Sequence, residues 1–108
     1  FGGGIGRMRQ TCGAACGMFL LAGLEKGAVD GKDREGKAAN YALVQQLAEE
    51  FRKRNGSMIC AELLGLKKPE GSSTPEARTE QYYAKRPCAK MVEEAAAIWA
   101  EYLEKQQK

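Results

Sequence analysis

Thr11-Cys12-Gly13-Ala14-Ala15-Cys16-Gly17-Met18-Phe19-Leu20-Leu21-Ala22-Gly23-Leu24-Glu25-Lys26-Gly27 is the stretch on which the fold turns. Cys12, Cys16, Phe19, Leu20 and Gly23 recur at helical spacing, and nothing in the run alternates with period two. The pattern predicts a helix from about Thr11 to Lys26, with Thr11 as N-cap and Gly27 as the stop.

Working outward, residues 1–10 read as a flexible, glycine-dense lead-in. Val29 to Gly36 reads as a polar loop. A second helix is expected from about Arg34 to Arg54, with the stripe Ala39, Leu43, Leu47 and Phe51, flanked by Val44 and Ala48. Ser57 is expected to cap a short third helix, Met58 to Leu64, stopped by Gly65. Lys67 to Ala77 reads as a turn-rich connector. The last helix opens at Arg86-Pro87-Cys88, with apolar positions Cys88, Met91, Val92, Ala95, Ile98, Trp99, Tyr102 and Leu103. The fold class is therefore all-α, a small bundle of about four helices. A chain of 108 residues makes one domain. Because the sequence opens at Phe1, inside a glycine run, the biological chain is expected to begin upstream.

Composition removes several function classes. The net charge of +3 comes with no basic run interleaved with aromatics, so nucleic acid is not an expected partner. Arg52-Lys53-Arg54 is the one basic triplet, and it suits the last turn of a helix, where the dipole favours cations. No apolar run is long enough for a membrane span and no signal peptide is visible, which makes the cytoplasm the expected location. Histidine is absent, so both the commonest general base and the commonest transition-metal ligand are missing.

The four cysteines carry the chemistry. Cys12 follows Thr11, Cys60 comes three residues after Ser57, and Cys88 follows Pro87, so each is expected at a helix start. Unpaired first-turn amides and the positive end of the helix dipole stabilise thiolate, the form that acts as nucleophile and as metal ligand. Cys16 lies one turn beyond Cys12. Regular helical spacing puts such Cβ atoms roughly 5–6 Å apart, beyond the roughly 3.5–4.5 Å of a disulfide. Cys88, between Arg86 and Lys90, ranks first as nucleophile or ligand, ahead of Cys60, whose nearest charge is Glu62. No CxxC pair is present, unlike thioredoxin-like or zinc-ribbon chains.

Gly2-Gly3-Gly4-Ile5-Gly6 fails the GxGxxG pattern at Arg7, and no Walker motif follows. With Arg7 and Arg9, the loop suits either a small anion or a close-packed turn. Gly13 and Gly17 leave a strip of small residues. It serves either the close approach of another helix or room for a cofactor or partner thiol beside Cys12.

Phe1 to Gly6, the run Cys12-Gly13-Ala14-Ala15-Cys16-Gly17, Cys60 after Asn55-Gly56-Ser57, and Cys88 after Pro87 together resemble the C-GCAxxG-C-C family. Its members share a CGAxxG motif and four characteristic cysteines, from which their redox role is inferred. The resemblance matches three of the four, Cys12, Cys60 and Cys88. The family's first cysteine lies upstream of the glycine run. Cys16 falls at a variable position of the motif and takes no role from the family.

Three functions fit these residues. In the first, Cys12, Cys60 and Cys88 converge for thiol/disulfide or electron-transfer chemistry, with Cys16 as a candidate resolving thiol and a redox protein as partner. In the second, Cys12, Cys60 and Cys88 bind an iron–sulfur cluster, zinc or another soft metal. In the third, the chain is a non-catalytic helical module whose cysteines are merely packed.

Overall fold

The structure is a computed structural model and describes residues 1–65 and 87–106. Among these residues it contains five helical elements and no strand: α1 (Gly2–Ile5), α2 (Gly13–Lys26), α3 (Arg34–Asn55), α4 (Cys60–Leu64) and α5 (Cys88–Gln106). The expected all-α bundle is what forms. The expected connector between Lys67 and Ala77 lies outside the described residues.

The core is built by α2, α3 and α5. Ala15, Met18 and Ala22 of α2 meet Leu43, Leu47 and Phe51 of α3 and Met91, Ala95 and Ile98 of α5. Phe51 and Met18 are completely enclosed. Burying a side chain of that size stabilises by roughly 1.5–3 kcal/mol, so this three-way junction holds the bundle together. The buried stripe of α2 differs from the expected one. Leu20 and Gly23 face outward, and the small side chains Ala15 and Ala22 are buried instead. Small residues on the inner face let the two long helices approach α2 closely, and the larger Leu20, Leu21 and Leu24 are left exposed.

Helix ends follow local chemistry where no other segment competes. Asp33 caps α3, its Oδ1 accepting from the Gly36 amide at 2.8 Å. Gly56 ends α3 in the left-handed region, with φ 89°, and donates to the Arg52 carbonyl. Arg52, Lys53 and Arg54 form the last turn of that helix. Arg54 reaches Glu50 on its own helix and Glu101 on α5, bracing the two helices at the surface.

The starts of α2 and α4 depart from expectation for one shared reason. Residues 9–12 run antiparallel to residues 58–61, bridged at Thr11 and Ile59. The Cys12 amide donates to the Met58 carbonyl at 2.7 Å, and the Cys60 amide to the Gln10 carbonyl at 2.6 Å. Thr11 is thereby held extended, and Cys12 takes the N-cap position of α2 without a side-chain cap bond. Met58 and Ile59 are likewise kept out of α4, which starts at Cys60. Ser57 does not cap that helix. Its hydroxyl accepts from the Ile59 amide and donates to Glu62.

The lead-in also takes a defined turn conformation. Gly3, Gly4, Ile5, Gly6 and Arg7 all have positive φ, so the chain winds through a left-handed turn. Ile5 and Gly6 amides close it onto the Phe1 and Gly2 carbonyls, both at 3.0 Å. A left-handed turn costs a non-glycine residue about 1–2 kcal/mol, and glycine nothing comparable. The glycines make the turn possible, and the turn presses Gly4 against the segment carrying Cys60.

Candidate functional site

Antiparallel pairing sets the first two cysteines. Neighbouring residues on a paired segment point to opposite sides, so the residues flanking Thr11 and Ile59 share the other side. Cys12 and Cys60 are diagonal neighbours across this bridge, a relationship that in regular pairing separates the two positions by about 7–8 Å and their Cβ atoms by somewhat less. Cys88, the first residue of α5, supplies the third sulfur from a distant part of the chain.

Cys12, Cys60 and Cys88 line one cavity of about 550 Å³. Its walls are Phe1 and Gly2 to Gly4 of the left-handed turn, Gly13, Ala14, Gly17, Met18 and Leu21 of α2, and Val92, Ala95 and Ala96 of α5. Cys60 is buried, Cys12 half-buried and Cys88 exposed, so the sulfurs run from the interior to the rim. All four cysteines are free thiols. Such a volume lies in the range of small-molecule sites.

The CGAxxG run divides cleanly. Its fixed positions Cys12, Gly13, Ala14 and Gly17 all line the cavity. Its variable positions do not: Ala15 enters the core, and Cys16 lies in a separate groove with Phe1, Phe19, Leu20, Gly23 and Leu24. Partial burial pushes the Cys16 thiol above its ordinary range, and the nearby Cys12 sulfur pushes in the same direction. Cys16 thus lies one helical turn from Cys12 but lines a different groove from the cavity that Cys12 shares with Cys60 and Cys88.

Two glycines are explained by close approach. At Gly4 a Cβ would stand 2.4 Å from the Cys60 Cβ and 2.7 Å from the Arg9 Cα, at a φ of +65°. At Gly13 it would stand 2.9 Å from the Phe1 carbonyl oxygen. A Cβ at Gly17 would meet nothing within 4 Å, so its missing side chain is open cavity space rather than helix contact.

Arg9 is the one charged side chain lining the cavity among the described residues. It is 5% exposed, and its Nη1 donates to the Cys60 Sγ at 3.5 Å. In the sequence Arg9 stands out only as part of a glycine loop. Its burial follows from the positive φ at Arg9 and the pairing of its carbonyl with the Ala61 amide, neither of which periodicity can signal.

Among the described residues no three Cys, Asp or Glu side chains stand close enough to hold one metal ion. The described thiols as arranged do not fit an iron–sulfur cluster or a zinc ion. Among the same residues no helix is long and apolar enough to cross a membrane.

An all-helical bundle with a cysteine-lined cavity is thus the class that fold and site define. Residues 1–102 match the family described as "Putative redox-active protein (C_GCAxxG_C_C)". The chain belongs to that C-GCAxxG-C-C family. No curated protein and no solved structure matches it.

Proposed function

We propose that this chain is a thiol–disulfide oxidoreductase working through Cys88, Cys60 and Cys12. The observation that carries the reading is that these three free thiols, drawn from three separate helix starts, line one cavity that excludes Cys16. Membership of a redox-active family supports the chemistry.

Cys88 meets substrate first because it is exposed at the rim. Its thiolate attacks one sulfur of a substrate disulfide, forming a Cys88–substrate bond and releasing the other half as a thiolate, which takes up a proton. Cys60 then attacks the Cys88 sulfur. The Cys60–Cys88 bond forms, the bond to the substrate breaks, and the second half leaves as thiol. Two protein thiols are oxidised and one substrate disulfide becomes two thiols. Attack on a mixed disulfide depends on access as well as on the attacking thiol. Burial keeps Cys60 from meeting substrate first, and Cys12 stands diagonally beside it as a third thiol. The substrate disulfide belongs to a small molecule or to a partner protein whose cysteine-bearing loop reaches the rim.

Anaerobic titration of the reduced chain with a small disulfide tests this. Two thiols should be lost per chain, with peptide mapping placing the bond between two of Cys12, Cys60 and Cys88 and Cys16 still open to alkylation. Retention of all four thiols, or a bond that requires Cys16, overturns the reading.

A further inference from the structure

We infer that Arg9 is the residue that stabilises negative charge on the Cys60 sulfur, and that it directs which sulfur of a Cys60–Cys88 disulfide is attacked. The inference rests on the thiol–disulfide reading, but its physical core concerns the reduced protein alone.

The geometry is specific. The Arg9 guanidinium is enclosed, and its Nη1 is in hydrogen-bond contact with Cys60 Sγ at 3.5 Å. Arg9 and Cys60 are fixed to one another three ways. The Ala61 amide donates to the Arg9 carbonyl at 3.2 Å, the Cys60 amide donates to the Gln10 carbonyl at 2.6 Å, and Gly4 fills the space between Arg9 Cα and Cys60 Cβ. A cation held against sulfur in a low-dielectric site interacts with it more strongly than it would in water.

This contact acts on exchange in both directions. In the oxidising direction, Arg9 stabilises the Cys60 thiolate that attacks the mixed disulfide on Cys88. In the reducing direction, an incoming thiolate attacks the Cys88 sulfur, a bond forms there, the Cys60–Cys88 bond breaks, and Cys60 leaves as a thiolate facing Arg9. Leaving-group stability and access both govern such reactions. Here they agree, since Cys88 is exposed and Cys60 buried. Arg9 is a positioning and charge-stabilising residue that works through Cys60.

The test is the alkylation rate of Cys60 by iodoacetamide in the fully reduced chain, read by peptide mass spectrometry with Cys16 as internal reference. Arg9→Gln should lower the Cys60 rate relative to Cys16 by about tenfold, the effect of losing an adjacent opposite charge. Arg9→Lys should recover most of it. A damaged fold has the opposite sign, because exposing Cys60 speeds its alkylation. An unchanged or faster Cys60 rate in Arg9→Gln, in protein whose helical circular dichroism matches wild type, overturns the inference. So does an Arg9→Lys rate no better than that of Arg9→Gln. If Arg9→Gln slows Cys60 but the wild type forms no disulfide on titration, the charge role stands and the oxidoreductase reading fails.

Discussion

Thr11 and Ile59 form an antiparallel bridge, and that single pairing brings Cys12 and Cys60 to the same wall. The bridge joins the start of α2 to the start of α4 through backbone bonds that no side chain supplies. It also explains why both helices begin late. The site is therefore organised by main-chain pairing between two segments that precede helices, with the helices holding the segments in place.

This pairing demands a close contact at Gly4. Gly4→Ala places a methyl group 2.4 Å from the Cys60 Cβ at a φ of +65°. Overpacking and left-handed strain together should destabilise the chain by about 2–4 kcal/mol. Urea unfolding measures this directly, and faster alkylation of Cys60 should accompany it. A variant as stable as wild type would show that the turn does not press on Cys60.

Gly17→Ala should behave in the opposite way. The added methyl meets nothing within 4 Å, and alanine is favoured over glycine inside a helix by about 1 kcal/mol. The unfolding midpoint should stay level or rise. The same methyl projects into the cavity, so bulky maleimides should reach Cys12 more slowly while iodoacetamide is little affected. Destabilisation would mean that the glycine serves helix contact after all.

Much of the bundle is legible in the sequence because local signals and tertiary demands agree there. α3 begins at Arg34 where the pattern places its start, and Leu43, Leu47 and Phe51 form its inner face as the period predicts. Periodicity misplaces the α2 stripe because Ala15 and Ala22 carry little hydrophobic weight, yet are the residues that permit close packing. Thr11 and Ser57 mislead for another reason. Each is a good cap by composition, but long-range pairing at Thr11 and a bond to Glu62 at Ser57 take precedence. For the site, spacing points to Cys12, Cys60 and Cys88 as helix-start residues. It carries no signal for the burial of Arg9 or for the separation of Cys16, since both depend on how the left-handed turn lies against α2.

The Cys16 thiol, set apart in its own groove, should leave a mark on stability against pH. Burial first, and then the neighbouring Cys12 sulfur, push its pKa upward in the folded chain. The folded state therefore keeps this proton to higher pH than the unfolded chain does. Its contribution to stability is complete below the unfolded thiol value and is lost as pH rises through the folded one. Urea midpoints taken between about pH 7 and pH 10 should fall more steeply for wild type than for Cys16→Ala. Parallel curves would refute the assignment.

Cys88 shares a cavity with Cys60 and Cys12 although nothing in the sequence adjoins them. Dibromobimane becomes strongly fluorescent when it bridges two nearby thiols, and it probes this arrangement in reduced Cys16→Ser protein. A fluorescent product should form whose peptide map joins Cys88 to Cys60 or Cys12, and it should be lost in the Cys16→Ser, Cys88→Ser double variant. Single adducts on Cys88, with no cross-link to either of the other two cysteines, would rule out the shared site.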